Sequence, residues 1–360
     1  MKKITLLLMA AALCLFTNKT NANDGVYFAR GNQLVPIHET DIAVAKEVLT
    51  ISLCDDGFAR VDVLYEFLNR GKAKTVDMGF EAIKPYNTTD EMSPDATHPY
   101  IYDFTVTMND EPMAYTNAIV NPGMLDTPFT GPDDDTPEEF VQYAYAYCFK
   151  AHFKEGINTV HHTYRYRMSY GVGRTFEVPY WLMPAMRWAN HQIDDFTLRI
   201  KAENTAKHFC LADSLFKDSQ FRIVEGQGKI RMNNFGWNEE FIEIVLRNGT
   251  AEWHCMNFRP TADMYIMSAD ARMSFDKKYK IGSFYDRSDK YYLDWLDRKP
   301  DMEIVRNLPY ANRGYVFKKK KLRKFFNSMW WYMPDSNYVP STKDFTPREW
   351  RLIAGEKSRL

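Results

Sequence analysis

Cysteine is scarce in this chain, with five in 360 residues, and no two are spaced as a CxxC pair. That excludes a thioredoxin-like redox motif and a four-thiolate zinc site. A GxSxG elbow, a Walker loop and an HExxH helix are missing as well. Serine hydrolases, P-loop NTPases and zinc peptidases build on those local patterns. After residue 22 no run is long and apolar enough to cross a bilayer, for which a helix needs roughly 20 such residues. An excess of one charge is also lacking: 46 basic residues face 47 acidic ones, a net charge of −1. The chain as a whole exerts no bulk pull on nucleic acid.

The first 22 residues have a distinct character. Lys2 and Lys3 precede an uncharged, largely apolar run from Ile4 to Phe16, and Thr20-Asn21-Ala22 places small residues where a signal peptidase reads. The pattern predicts an exported protein, periplasmic or extracellular, cleaved after Ala22. A lipid anchor would need Cys14, but Leu13 stands before it where a lipobox requires a small side chain. Cleavage removes three lysines and no acid, leaving 43 basic against 47 acidic residues, a charge of −4. Cys54, Cys148, Cys210 and Cys255 remain. In an oxidising compartment an even number predicts disulfides, with three pairings open; four buried thiols is the other reading.

Aromatics make up 15% of the chain, a composition that favours strands. From Val26 to about Pro260 short alternating runs are punctuated by turns. Val61, Val63, Tyr65 and Phe67 alternate with Asp62, Leu64 and Glu66, the period of a half-buried strand. Gly31-Asn32, Asp55-Asp56-Gly57 and Asn248-Gly249 are hairpin signals. Thr136-Pro137-Glu138-Glu139 reads as a capped helical turn, followed by a strand to Phe153, a turn at Gly156 and a strand from Thr159 to Met168. No long helix separates the strands, so antiparallel sheets in a sandwich-like body are expected over residues 23–296, with a subdomain break near 205. Past a charged connection, Asp297 to Pro300, Leu322, Phe325, Phe326 and Met329 mark an amphipathic helix. Thr346-Pro347-Arg348-Glu349 caps a last helix ending near Gly355. Residues 297–360 therefore read as a small helical domain.

Within it Arg306-Asn307, Tyr310-Ala311-Asn312-Arg313-Gly314, Phe317, Leu322, Phe325-Phe326 and Trp331-Tyr332-Met333-Pro334 stand in the order of a known module. The segment resembles the YARHG domain of bacterial extracytoplasmic proteins, which implies a small helical fold and no reaction. It departs at the eponymous motif: Asn312 replaces Arg and Arg313 replaces His. A catalytic role through that His would be lost here. Pro309 also sits where the family continues a helix, so the first helix is expected to end early. More faintly, Asp24-Gly25, Val61 to Asn69, His162 to Met168 and Asp195 to Ile200 resemble a secreted β-rich family found upstream of such domains.

Candidate chemistry is thin. His161 and His162 are strand neighbours and point to opposite faces, so they do not share a metal. His152 and His162 would approach across a Gly156 hairpin, and Cys148 with either would make a nucleophile pair. Asp194-Asp195 and Glu239-Glu240 are adjacent and do not converge as a glycosidase pair must. Asp133 to Asp135 lack the oxygen spacing of an EF-hand and read as a solvated acidic loop. No metal or cofactor is implied. From Ile304 to Pro334, however, eight basic residues occur without one acid, and Trp330, Trp331 and Tyr332 follow the lysines. Arg313, Lys318, Lys319, Lys320 and Trp330 are the candidate ligand-binding residues, for an anionic envelope polymer or envelope protein rather than nucleic acid. The alternatives are that the lysines only solvate a helix face, or that the protein is an envelope hydrolase with its site on the β body.

Overall fold

The computed structural model describes residues 24–30, 33–36, 39–81, 101–120, 144–171, 174–216, 220–234, 240–268, 285–287, 290–292 and 301–355. The leader, the helical turn expected at 136–139, the acidic loop before it and the 297–300 connection lie outside them. Strand follows strand: β1 (Asp24–Arg30), β2 (Gln33–Pro36), β3 (Ile42–Leu53), β4 (Phe58–Asn69), β5 (Lys74–Glu81), β6 (Tyr102–Met108), β7 (Glu111–Pro112) and β8 (Thr116–Val120). Then come β9 (Ala144–Phe153), β10 (Gly156–Arg167), β11 (Ser169–Gly171), β12 (Arg174–Tyr180), β13 (Ile193–Ala202) and β14 (Lys207–Ala212). Next are β15 (Arg222–Asn233), β16 (Phe241–Phe258), β17 (Met264–Ser268), β18 (Tyr285–Arg287) and β19 (Lys290–Tyr292). Three α-helices close the chain: α1 (Met302–Asn312), α2 (Lys320–Asn327) and α3 (Pro347–Ala354).

The alternation read in β4 places Val61, Val63, Tyr65 and Phe67 in the core and leaves Asp62 and Leu64 outside. Five strands, β1, β2, β8, β9 and β5, close a small barrel, and twelve form one large sheet ordered β11-β12-β17-β14-β16-β13-β3-β4-β10-β6-β7, with β15 beside β16. Barrel residues Met78, Phe80, Phe149 and Phe153 pack with the sheet's inner face in one core. The body is thus mostly β and mostly antiparallel. Two described pairings are parallel, β2 with β8 and β3 with β13.

Three local expectations are corrected. Asn248-Gly249 makes no hairpin, because β16 runs straight through it for 18 residues. Asn248 adopts φ +44° and its N–H donates to the Glu203 carbonyl, a bulge rather than a turn. Inward positions shift from Ile242, Ile244 and Leu246 to Ala251, Trp253 and Cys255. The extra residue keeps both halves of a long strand facing the same core. The chain also turns at Gly156, but β9 pairs with β5 and β8 in the barrel while β10 pairs with β4 and β6 in the sheet. The Gly156 turn therefore bridges two sheets instead of making a hairpin. Finally, α1 continues past Pro309 to Asn312. The proline ring is buried in the module, and its carbonyl accepts a hydrogen bond from Arg313 Nη1 at 3.0 Å.

Helices α2 and α3 form where the apolar spacing and the second capping box place them. Thr346 Oγ1 accepts from the Glu349 N–H at 3.2 Å, and Glu349 reaches back to the Thr346 N–H at 2.9 Å. Ile304, Val305, Leu308, Phe317, Leu322, Phe325, Phe326 and Trp331 make a second, separate core. One buried residue of the sheet, Val245, joins it. The helical module lies on the outer face of β16, and β15 and β14 supply the contacts described next.

Candidate functional site

Burial along β16 explains the contact surface. Its first seven residues, Phe241 to Arg247, are all buried; of these Ile242, Ile244 and Leu246 face inward, and Glu243, Val245 and Arg247 face outward beneath the module. Outward residues of β14 and β15 flank them. Glu243 accepts hydrogen bonds from His208 Nε2 at 2.6 Å, Asn233 Nδ2 at 2.7 Å and Arg231 Nε at 2.5 Å. Burial alone would push the Glu243 carboxyl up, but these three donors outweigh it and hold it down at about 2. The Arg231 guanidinium lies 4.2 Å over the Trp330 ring, with His208 on the same indole at 5.6 Å. Lys229 Nζ donates to the carbonyls of Trp330 and Tyr332, each at 2.9 Å. Trp330 is therefore part of the junction between sheet and module, not an open stacking platform.

The other candidate ligand-binding residues divide in two. Arg313 is 8% exposed and forks onto Glu349, Nη1 to Oε1 at 2.6 Å and Nη2 to Oε2 at 2.9 Å. It holds α1 to α3. Lys319 is exposed but pairs with Glu303, and Lys321 reaches both Asp301 and Glu303. Sequence distance hid those acids, which precede the acid-free stretch and fold back beside α2. Lys318, Lys320, Arg323 and Lys324 are exposed and form no ion pair among the described residues. Lys320, Arg323 and Lys324 recur at i, i+3 and i+4, one side of the helix, opposite Leu322, Phe325 and Phe326.

On the β body the proposed partners do not meet. His162 is fully buried among Phe80, Phe104, Phe149 and Tyr65, with ring centroids 5.4–6.2 Å away. His161 faces out to Asp62 at 3.1 Å, and His152 bonds Thr75 at 3.0 Å. Cys148 stands on the side of β9 opposite Phe149, the residue that packs on His162, and lies four residues along the strand from His152. Asp194 accepts from Asn190, while Asp195 accepts from His254 and pairs with Lys46. Among the described residues no group of three or more His, Cys, Asp and Glu is placed to hold a metal, and no helix is long and apolar enough to cross a membrane. A surface cleft of about 210 Å³ lined by Thr40, Asp41, Arg70 and Asn190 collects none of these groups.

The expected disulfides are absent among the described residues: Cys54, Cys148, Cys210 and Cys255 are not joined to one another. Register explains this. Cys148 stands across from Gly79 and Thr116, Cys210 from Glu243 and Met267, and Cys255 from Phe196. Cys54 follows β3 directly, and Arg60 Nη1 donates to its sulfur at 2.7 Å. Burial and nearby Glu203 push that thiol up to about 12, against the opposing pull of Arg60. Burial also raises Cys148. Such thiols resist oxidation because little thiolate forms.

A candidate nutrient-binding protein from Legionella pneumophila is 19% identical over 94% of this chain and 99% of its own, with a TM-score of 0.48. An M1 zinc metallopeptidase from Deinococcus radiodurans shares 9% identity over 64% of this chain and 43% of its own, at 0.29. Baculovirus P35 shares 10% over 63% and 97%, at 0.23. These likenesses are too loose to carry an argument about activity. No curated protein matches the chain. The C-terminal part does have a family: residues 284–357 match the YARHG domain, which takes in the β18–β19 hairpin as well as α1 to α3.

Proposed function

We propose that this is an exported, envelope-associated binding protein whose YARHG domain contacts an anionic component of the cell envelope. The observation that carries the reading is the cluster of Lys320, Arg323 and Lys324 on one side of α2, with Lys318 just before it, all exposed and without an ion pair among the described residues, while the neighbouring lysines are neutralised by Asp301 and Glu303. At physiological salt the Debye length is about 8 Å, so cations clustered on two turns of helix act together against phosphate or carboxylate. Export rests on the Lys-Lys, apolar run and Thr-Asn-Ala site of the leader. Acidic glycans and anionic lipid headgroups offer the same chemistry.

The test is co-sedimentation with vesicles of phosphatidylglycerol or phosphatidylcholine, and retention on a polyanionic glycan resin, at two salt concentrations. Each basic residue near an anionic surface contributes about 1 kcal/mol. Replacing Lys320, Arg323 and Lys324 together by Gln should therefore lower affinity on the order of 100-fold for whichever anionic support retains the wild type. Wild type that binds neither support, or a triple variant that binds as well, would sink the reading.

A further inference from the structure

The YARHG-type motif of this chain departs from its family at two positions, yet its segment is not idle. Of Tyr310-Ala311-Asn312-Arg313-Gly314, three side chains are spent inside the module: Tyr310 on Phe345, Ala311 in the core and Arg313 on Glu349. What faces the β body is main chain. The Asn312 carbonyl accepts from the Ala206 N–H at 3.2 Å, in the β13–β14 connection. Gly314, at φ +84°, lies flat against the guanidinium of Arg247, where a Cβ would come within 1.8 Å of Nη1. The Gly314 carbonyl accepts from the Asp335 N–H at 2.8 Å, which brings that carboxylate to 3.8 Å from Arg247 Nη2. Arg247 Nη2 also donates to the Met333 carbonyl at 2.9 Å and to Gln227.

We infer that the Tyr310–Gly314 segment is the docking site of the YARHG domain for the β body, and that the guanidinium of Arg247 is what it recognises. Arg247 is 3% exposed, and burying a guanidinium without partners is costly. The body nevertheless aims it outward, immediately before the Asn248 bulge that Gly226 accommodates. Other described contacts are Lys229 on two carbonyls and Arg231 on the Trp330 ring, and Val245 is the one buried apolar residue that the described part of the sheet supplies. The partner that fits this socket is a cation-bearing β-strand face. Recognition by a carbonyl and a glycine Cα uses main-chain atoms, which the motif supplies with Asn312 and Arg313 in place.

The experiment is hydrogen exchange of the full chain in wild type, Arg247→Ala, Arg247→Lys and Lys229→Met. Arg247→Ala should speed exchange across residues 301–355 at least 10-fold while the amides of β4 and β10 keep wild-type protection. Lys229→Met, which removes two carbonyl contacts of the same junction, should show the same selective loss, and Arg247→Lys a smaller one. Unchanged protection of the module in both Arg247→Ala and Lys229→Met overturns the assignment. An equal rise in β4 and β10 overturns it too, because Arg247 would then support the body's own fold.

Discussion

Single residues in the junction set its response to acid. Glu243 is 1% exposed and is held at about 2 against an ordinary 4.5 by donors from β14 and β15. A carboxylate depressed in the folded state contributes stability that is fully present above its unfolded value and is lost as pH falls through the folded one. The window therefore runs from about pH 4.5 down to about 2, and the contribution at neutral pH is about 3 kcal/mol. Urea unfolding of Glu243→Gln against wild type should show a gap of that order at pH 7, closing as the pH is lowered toward 2. A gap of constant size would mean that the three donors do not sense the charge. Neither Glu243 nor its donors were legible as a site in the sequence. Across Phe241 to Leu246 Glu243 reads as the solvent face of an alternating strand, and only the module laid over that face buries it.

At the scale of elements, alternation within strands and caps on helices were readable, and pairings between distant strands were not. The run Val61 to Phe67 and the box Thr346 to Glu349 carry their own geometry, since side-chain period and capping are local. Asn248-Gly249 misled because the same dipeptide serves a hairpin and a bulge. The switch of apolar residues from even to odd numbers across it favoured the bulge. That bulge depends on Gly226 of the neighbouring strand, at φ +65°, where a Cβ would stand 1.6 Å from the Asn248 carbonyl oxygen. Gly57, at φ +82° in an open turn with no atom within 4 Å of a Cβ, isolates the backbone cost. Gly57→Ala should lose about 1 kcal/mol from its left-handed conformation alone. Gly226→Ala must also displace the Asn248 carbonyl and should lose several times that in the same urea titration. Equal losses would mean that the two strands part without penalty at this point.

For the molecule as a whole, the two cores make its parts unequal in their need for each other. The body's core draws on the barrel and the inner face of the large sheet, and among the described residues none of the module belongs to it. The module's core is built on about a dozen side chains and borrows Val245 from the sheet. A domain below roughly 70–80 residues has little apolar area to set against its conformational entropy. The sheet face that the module covers is polar, with Glu243, His208, Arg231, Lys229 and Arg247, and such a face tolerates water. The dependence should therefore run one way. A chain ending at residue 283 should keep the strand signal in circular dichroism and unfold in one cooperative urea transition, at a modestly lower midpoint. Residues 284–360 produced alone should lose most of their helical signal and amide dispersion, and recover both when the body is added. A truncated body that aggregates, or a module that is fully ordered by itself, would show that the two cores are not unequal in this way.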